Sequence, residues 1–409
     1  MKKTICELFA GVGGFRIGFE NQSKDWITVF ANQWEPSKKI QHAFECYKSH
    51  FYNSGGITEY SNIDIAEVPS SSISDFSLLV GGFPCQDYSV ASTGAKGIEG
   101  KKGVLWWEIE RIIKDKKPPF ILLENVDRLL KSPSSQRGRD FGVILGCLSK
   151  LGYYIEWRVI NAADYGFQQR RRRTFIFATH NSTNYFKKLS NKENSLIQKE
   201  GFFAPIFKVD DINIDDISST TIIKDFNFDI LKISNEFKFD FKNSGFCING
   251  KIYTSETKAN DIIPNKQITL NDIIETNVDS KYFLSNSDLE KWYYMKGPKA
   301  IERTSKTGHK YIFREGGLSF PDPLDKPART MLTSEGSKNR STHVIKDTLT
   351  GKLRLLTPIE CERINGFPDN WTNTGMTHSF RYFCMGNALV VNLVTLMAES
   401  LYNIIEKED

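Results

Sequence analysis

At 409 residues the chain is long enough for two cores, since single cores stop growing near about 250–300 residues. With 40% hydrophobic and 12% aromatic residues it has the makeup of a folded globular protein, which excludes a disordered or fibrous chain. A net charge of +5 is mildly basic and points to no partner by itself; its distribution says more, with Lys and Arg gathered at 96–102, 114–117, 128–139 and above all Arg170-Arg171-Arg172-Arg173, and an acidic run at 210–216.

No run of about 18 apolar residues occurs, so no membrane span is expected. Glu7 interrupts the N-terminal stretch before it reaches the length of a signal peptide, and a cytoplasmic location is the expectation. The cysteines, at 6, 46, 85, 147, 247, 361 and 384, are odd in number, widely spaced and without a Cys-x-x-Cys pair. They read as reduced thiols, mostly buried, and no metal is expected.

In chain order, short apolar strands alternate with helical stretches up to His180, the pattern of an open α/β sheet. Strands are predicted over 4–9, 26–32, 78–81, 120–124, 155–160 and 174–178, and helices over 15–21, 36–50, 105–114 and 142–151. Beyond His180, Asn, Ser, Lys, Asp and Ile dominate and no regular alternation is predicted as far as Asn373. The chain closes in an apolar helix predicted over 387–405, whose composition suits packing against the first domain. Two domains are expected: a catalytic and cofactor-binding unit over 1–185, completed by 378–409, and a smaller, mostly irregular or β unit over 186–377.

The first strand runs into Phe9-Ala10-Gly11-Val12-Gly13-Gly14 and then a helix. A glycine-rich turn at the carboxyl edge of strand one is where a nucleotide-like cofactor usually lies, although a tight turn without a ligand has the same signature. The second strand ends at Asn32-Gln33-Trp34-Glu35, where an acidic residue against ribose is expected, and Glu35 stands two positions late. Asp64 and Ile65, at a third strand edge, suit an adenine amino group and ring face; Asp64 reads equally as a helix cap.

Cys85 sits in Gly81-Gly82-Phe83-Pro84-Cys85-Gln86, just past a strand, where cations or helix ends can lower the pKa of a thiol and make it a nucleophile. Glu124, ending a strand in Glu124-Asn125-Val126, is placed to donate a proton, or is an ordinary turn residue. Alternation along a strand puts Arg171 and Arg173 on one face and Arg170 and Arg172 on the other, so the cluster can stabilise a developing negative charge, bind phosphate, or do both.

Together these segments resemble the DNA (cytosine-5) methyltransferase family of bacterial restriction-modification type. Phe9–Gly14, Gly82–Gln86, Glu124–Val126 and Gln169–Arg173 are similar to its cofactor, Pro-Cys, Glu-Asn-Val and Gln-x-Arg-x-Arg blocks. Residues 354–363 with Gly366-Phe367-Pro368-Asp369, and Gly386-Asn387-Ala388-Leu389-Val390, match the last two. The match covers residues 1–180 and 350–405. It implies a Rossmann-like sheet of the S-adenosylmethionine-dependent methyltransferase type with a smaller target-recognition domain, and transfer of a methyl group to carbon-5 of a cytosine flipped out of double-stranded DNA. It also implies Cys85 as nucleophile at carbon-6, Glu124 as partner of N3, and Arg171 and Arg173 beside the base. S-adenosylmethionine would contact Phe9, Gly11, Gly13, Gly14, Trp34, Asp64, Ile65, Leu105, Asn387 and Leu389. Two positions depart from the family: Gln33 stands where the ribose-binding Glu is usual, and Gln168 where Pro is common.

Loop 86–102 is then expected to close over DNA, and region 181–350 to recognise the target, with residues 333–343 as groove contacts or a solvated loop. A monomer is expected, with a restriction endonuclease acting on the same site as a possible companion. The alternatives are an RNA cytosine-5 methyltransferase, disfavoured by the long insert before Arg354, and a catalytically silent DNA-binding module, disfavoured by intact Cys85, Glu124 and Arg173.

Overall fold

The apolar runs of the first half of the chain become neighbours in one sheet. The structure, a computed structural model, describes residues 1–36, 38–52, 59–83, 105–190, 192, 195–260, 266–305 and 308–408. Its first elements are β1 (Thr4–Leu8), α1 (Gly14–Gln22), β2 (Ile27–Asn32), α2 (His42–Phe51), β3 (Glu59–Ser61) and β4 (Leu78–Gly82). They continue with α3 (Leu105–Lys116), β5 (Phe120–Val126), α4 (Arg139–Lys150), β6 (Tyr153–Asn161) and β7 (Arg172–His180). β1 to β5 are parallel, and β7 lies antiparallel between β5 and β6. Strands covered on both faces read as continuous apolar runs. β4 and β5 obey this, with Leu78, Leu79, Val80 and Phe120, Ile121, Leu122, Leu123 all fully buried.

The sheet does not end with β7. After α5 (Asn184–Leu189) come β8 (Ser218–Thr220), α6 (Ile222–Asp225), α7 (Ile230–Glu236), β9 (Ser244–Ile248) and β10 (Lys251–Ser255). Among the described residues the strand order is β3-β2-β1-β4-β5-β7-β6-β9-β10-β8. The sheet thus takes in part of the stretch expected to be a separate unit from residue 186. β9 pairs with the outer edge of β6, Ile155 opposite Cys247, and removes an open strand edge.

The remainder comprises α8 (Asn286–Lys296), the hairpin β11 (Lys299–Thr304) and β12 (Lys310–Glu315), the pair β13 (Val344–Lys346) and β14 (Leu353–Leu355), α9 (Pro358–Ile364), α10 (His378–Asn387) and α11 (Val391–Ile405). α11 packs on α1 so closely that a Cβ at Gly18 would lie 2.5 Å from Val394.

Two expected boundaries moved. α2 begins at His42 rather than residue 36, because the Gln41 side chain accepts from the Glu35 amide and donates to the carbonyls of Glu35 and Lys38, holding a turn there. The helix expected over 387–405 begins at Val391; Asn387 instead ends α10, and the two helices are bent by 42°. Ala388 and Val390 are extended, and the Val391 amide donates to the Asn365 carbonyl. Among the described residues no single helix is long and apolar enough to cross a membrane.

Candidate active site

Parallel strands put their carboxyl ends on one edge of the sheet, so the segments after β1, β2, β3, β4 and β5 meet there. After β1 the backbone turns left-handed at Phe9, Gly11 and Gly13, with φ of 56°, 57° and 91°. Only glycine adopts this readily. A Cβ at Gly13 would lie 2.6 Å from the Phe51 ring, whereas one at Gly11 would meet nothing within 4 Å, so the turn is packed below and open above. Gln33, after β2, accepts the Gly11 amide at 2.8 Å through Oε1. Leu389 lies against Gly14, 3.2 Å from where its Cβ would be.

Trp371, which the sequence did not single out, donates from Nε1 to the Val12 carbonyl at 2.8 Å while its ring stacks on His50 at 3.5 Å. Only its place two residues after Asp369 hinted at a role. Asp64 caps a short turn, accepting the Ala66 amide at 3.1 Å, and Ile65 beside it is buried. Trp34 and Leu105 are half-buried and Asn387 is exposed. One Glu35 oxygen is buried without a hydrogen-bond partner among the described residues, and burial raises that carboxyl's pKa.

β4 and β5 bring Gly82 opposite Glu124, and β5 and β7 bring Val126 opposite Arg173. Glu124 accepts a charge-assisted contact from Arg173, Oε1 to Nε 2.7 Å, with both side chains slightly exposed. Asn125 donates to the Phe83 carbonyl at 2.8 Å and fixes the chain at the last described residue of that loop. Cys85, two residues further, lies outside the described residues, as does loop 86–102. The other six cysteines are buried, and desolvation pushes their thiols up, to about 12 for Cys46, Cys147 and Cys247. None of the six supplies a thiolate near neutral pH.

The arginine run alternates as expected of a strand entry: Arg170 and Arg172 are exposed, Arg171 and Arg173 turn inward. The two inward residues differ. Arg173 faces Glu124, while the Arg171 guanidinium is 1% exposed and donates to the carbonyls of Met331 (3.0 Å) and Gly386 (2.9 Å). Burial, and then the neighbouring Arg173, disfavour its charge. Gln168, the other departure, donates to the Arg363 carbonyl at 2.7 Å, a bond proline could not make.

The sequence profile of C-5 cytosine-specific DNA methylases matches residues 3–403. The chain belongs to the C-5 cytosine-specific DNA methylase family. It is similar to the type II methyltransferase M.Sau3AI of Staphylococcus aureus, 53% identical over 412 residues, covering 98% of this chain and 96% of that one. M.Bsp6I of Bacillus sp. is 28% identical over 97% of this chain and 98% of its own. In fold, this methylase resembles Dnmt2 of S. pombe (TM-score 0.58, 16% identity, 98% and 99% of the two chains) and a DNMT2 mutant of Spodoptera frugiperda (0.59, 14%, 99% of each). The methylase is therefore an enzyme, a DNA (cytosine-5) methyltransferase on a Rossmann-like sheet.

Proposed function

We propose that this methylase works with Cys85 as nucleophile, Glu124 as proton partner and Arg173 as charge stabiliser, and that the edge glycines hold S-adenosylmethionine. The observation that carries the reading is the Glu124–Arg173 pair at 2.7 Å, one strand from the loop that leads to Cys85. In this mechanism the Cys85 thiolate adds to carbon-6 of the flipped cytosine and Glu124 supplies a proton to N3, making carbon-5 nucleophilic. Arg173, held by the same carboxylate, offers its remaining N–H donors to O2, where charge builds. Arg171 acts from behind the pocket, its donors being directed to Met331 and Gly386. Transfer of the carbon-5 proton to a water molecule, departure of the Cys85 thiolate and return of the N3 proton to Glu124 then restore aromaticity.

S-adenosylmethionine supplies the electrophilic methyl group. The open side of Gly11, the buried Ile65 and the contact of Leu389 with Gly14 suit a nucleoside lying along this edge beside Phe9 and Trp34. Gln33 changes the polarity of the ribose contact. Its oxygen already accepts the Gly11 amide, and unlike a carboxylate it also carries N–H donors, so a ribose hydroxyl can accept from it.

Target recognition is assigned to the irregular region between β10 and α9, and modification of host DNA alongside a restriction endonuclease is the role its type II relatives suggest. The test is incubation with labelled S-adenosylmethionine and duplex DNA, followed by sequencing for 5-methylcytosine. Label in duplex cytosine is expected, and Cys85→Ser should abolish it. Label entering RNA but not DNA, or an active Cys85→Ser enzyme, would overturn the reading.

A further inference from the structure

Residues 333–343, expected from sequence to be groove contacts or a solvated loop, have other commitments. Arg340 donates to the carbonyls of Met295, Gly297 and Gly316, Lys338 pairs with Asp288 at 2.6 Å, and Asn339 and Ser337 bond within the loop. What this loop fastens is the base of the β11–β12 hairpin, since Met295 and Gly297 precede β11 and Gly316 follows β12.

The hairpin is unusual in being open on both faces. Among the described residues β11 and β12 pair only with each other, and nine of their twelve residues are exposed, Lys299, Phe313 and Glu315 being half-covered. Ile301, Tyr311 and Ile312 are 37%, 42% and 56% exposed, and Tyr293 and Tyr294 on the adjoining α8 are 60% and 67% exposed. Lone two-stranded ribbons are marginal in water, and apolar exposure concentrated like this marks a surface that is covered in use. The charge selects the cover. Lys299, Arg303, Lys310 and Arg314 outnumber Glu302 and Glu315, and both carboxylates already face cations, Lys310 at 3.5 Å and Arg340 at 3.7 Å.

We infer that the β11–β12 ribbon enters the major groove of the DNA substrate and that Arg303 reads a base edge there. This deepens the DNA methylase reading and rests on it. A major groove about 12 Å wide admits a two-stranded ribbon. Register puts Ile301, Arg303, Tyr311 and Phe313 on one face, and the Arg303 guanidinium lies over the Phe313 ring at 3.8 Å. A guanidinium resting on a ring keeps its N–H edge available, and that of Arg303 has no acceptor among the described residues, as bidentate recognition requires. The same segment leads back to the reaction centre: Thr330 and Met331, shortly before the clasp, bond to Arg170 and Arg171.

The experiment compares the full-length enzyme with Arg303→Ala and Arg303→Lys on a library of duplexes of randomised sequence, reading methylated products by 5-methylcytosine sequencing. Thermal unfolding and S-adenosylmethionine affinity confirm that each variant is folded. Relaxation at one position of the wild-type consensus, on the order of tenfold or more, is expected in both variants. Arg303→Lys keeps the charge but not the fork, so it should retain overall DNA affinity; it also carries the test if Arg303→Ala does not fold. An unchanged consensus, or equal weakening at every position, overturns the groove reading. A wild-type enzyme that methylates no duplex would instead overturn the function on which it rests.

Discussion

On the sheet β1 to β7, the groups proposed to react are positioned by strand register; in the region from β11 to α9, polar side chains are positioned by one another. Glu124 and Arg173 meet because β5 and β7 are paired in a register that leaves both at one edge. In the second region secondary structure is sparse, and buried ions replace it. Arg354, fully buried, bonds Asp347 at 3.0 Å and Glu360 at 2.7 Å; Arg329 bonds Asp322 at 2.6 Å; His343 bonds Glu335 at 2.9 Å. The difference is one of where information is kept. A register survives replacement of a side chain, whereas a buried ion network fails when one partner is removed.

The largest effect that sharpens this contrast is catalytic. Glu124→Gln should lower the methyl-transfer rate by on the order of 10²–10⁴, the usual contribution of a positioned acid or base, in single-turnover assays with labelled S-adenosylmethionine. Its unfolding midpoint should hardly move, because the pair is partly solvated and its strands stay registered. An enzyme within tenfold of wild type would remove Glu124 from the mechanism. Arg354→Met should do the reverse. It strands Asp347 and Glu360, and denaturant unfolding should show a loss of about 3–5 kcal/mol. Little loss would mean the second region does not depend on its ions.

The same contrast decides what could be read in the sequence. β4 and β5 were legible because strands buried on both faces are continuous apolar runs, and Glu124 because it ends such a run. β9 and β10 were not: Ser244, Thr254 and Ser255 are fully buried yet polar, so neither alternation nor an apolar run announces them. The start of α11 was expected too early because Ala388, Leu389 and Val390 are all tolerated in a helix, and only the contact of Leu389 with Gly14 and the Asn365 hydrogen bond hold them out of it. At the site, Asn125 and Trp371 act through single hydrogen bonds to Phe83 and Val12, one of them spanning 359 positions. Such pairings leave no local pattern. The β11–β12 ribbon lacks a buried face, and so lacks the periodicity by which strands are found.

Gly13→Ala tests whether backbone conformation adds a third way of placing groups. Alanine at φ 91°, with its Cβ 2.6 Å from Phe51, should cost about 2 kcal/mol in unfolding experiments. S-adenosylmethionine affinity should fall by more than tenfold, as measured by calorimetry, because the turn would shift. Full affinity would show that the turn tolerates a side chain and that its glycine serves only packing.

The smallest effect concerns a buried carboxyl in the first strand of the sheet. Glu7, in the middle of β1, is fully buried, and desolvation raises its pKa to about 7 although Tyr47 donates to it at 2.7 Å and Arg16 is near. A carboxyl whose folded pKa lies above its unfolded value binds more protons in the native state, so its contribution is intact below about pH 4.5 and is lost as pH rises toward 7. The second region has the opposite sign. Burial works against the charges of Asp322 and Asp347, but hydrogen bonds and the guanidinium charges of Arg329 and Arg354 outweigh it and lower both pKa values, so their contribution is lost only on acidification. Wild-type stability should therefore fall by about 1 kcal/mol between pH 6 and 7 on account of Glu7, and Glu7→Gln should flatten that stretch while leaving the acid limb untouched. A slope unchanged by Glu7→Gln would mean that Arg16 and Tyr47 keep the carboxylate ionised, making β1 a strand that, like the second region, holds a compensated buried charge.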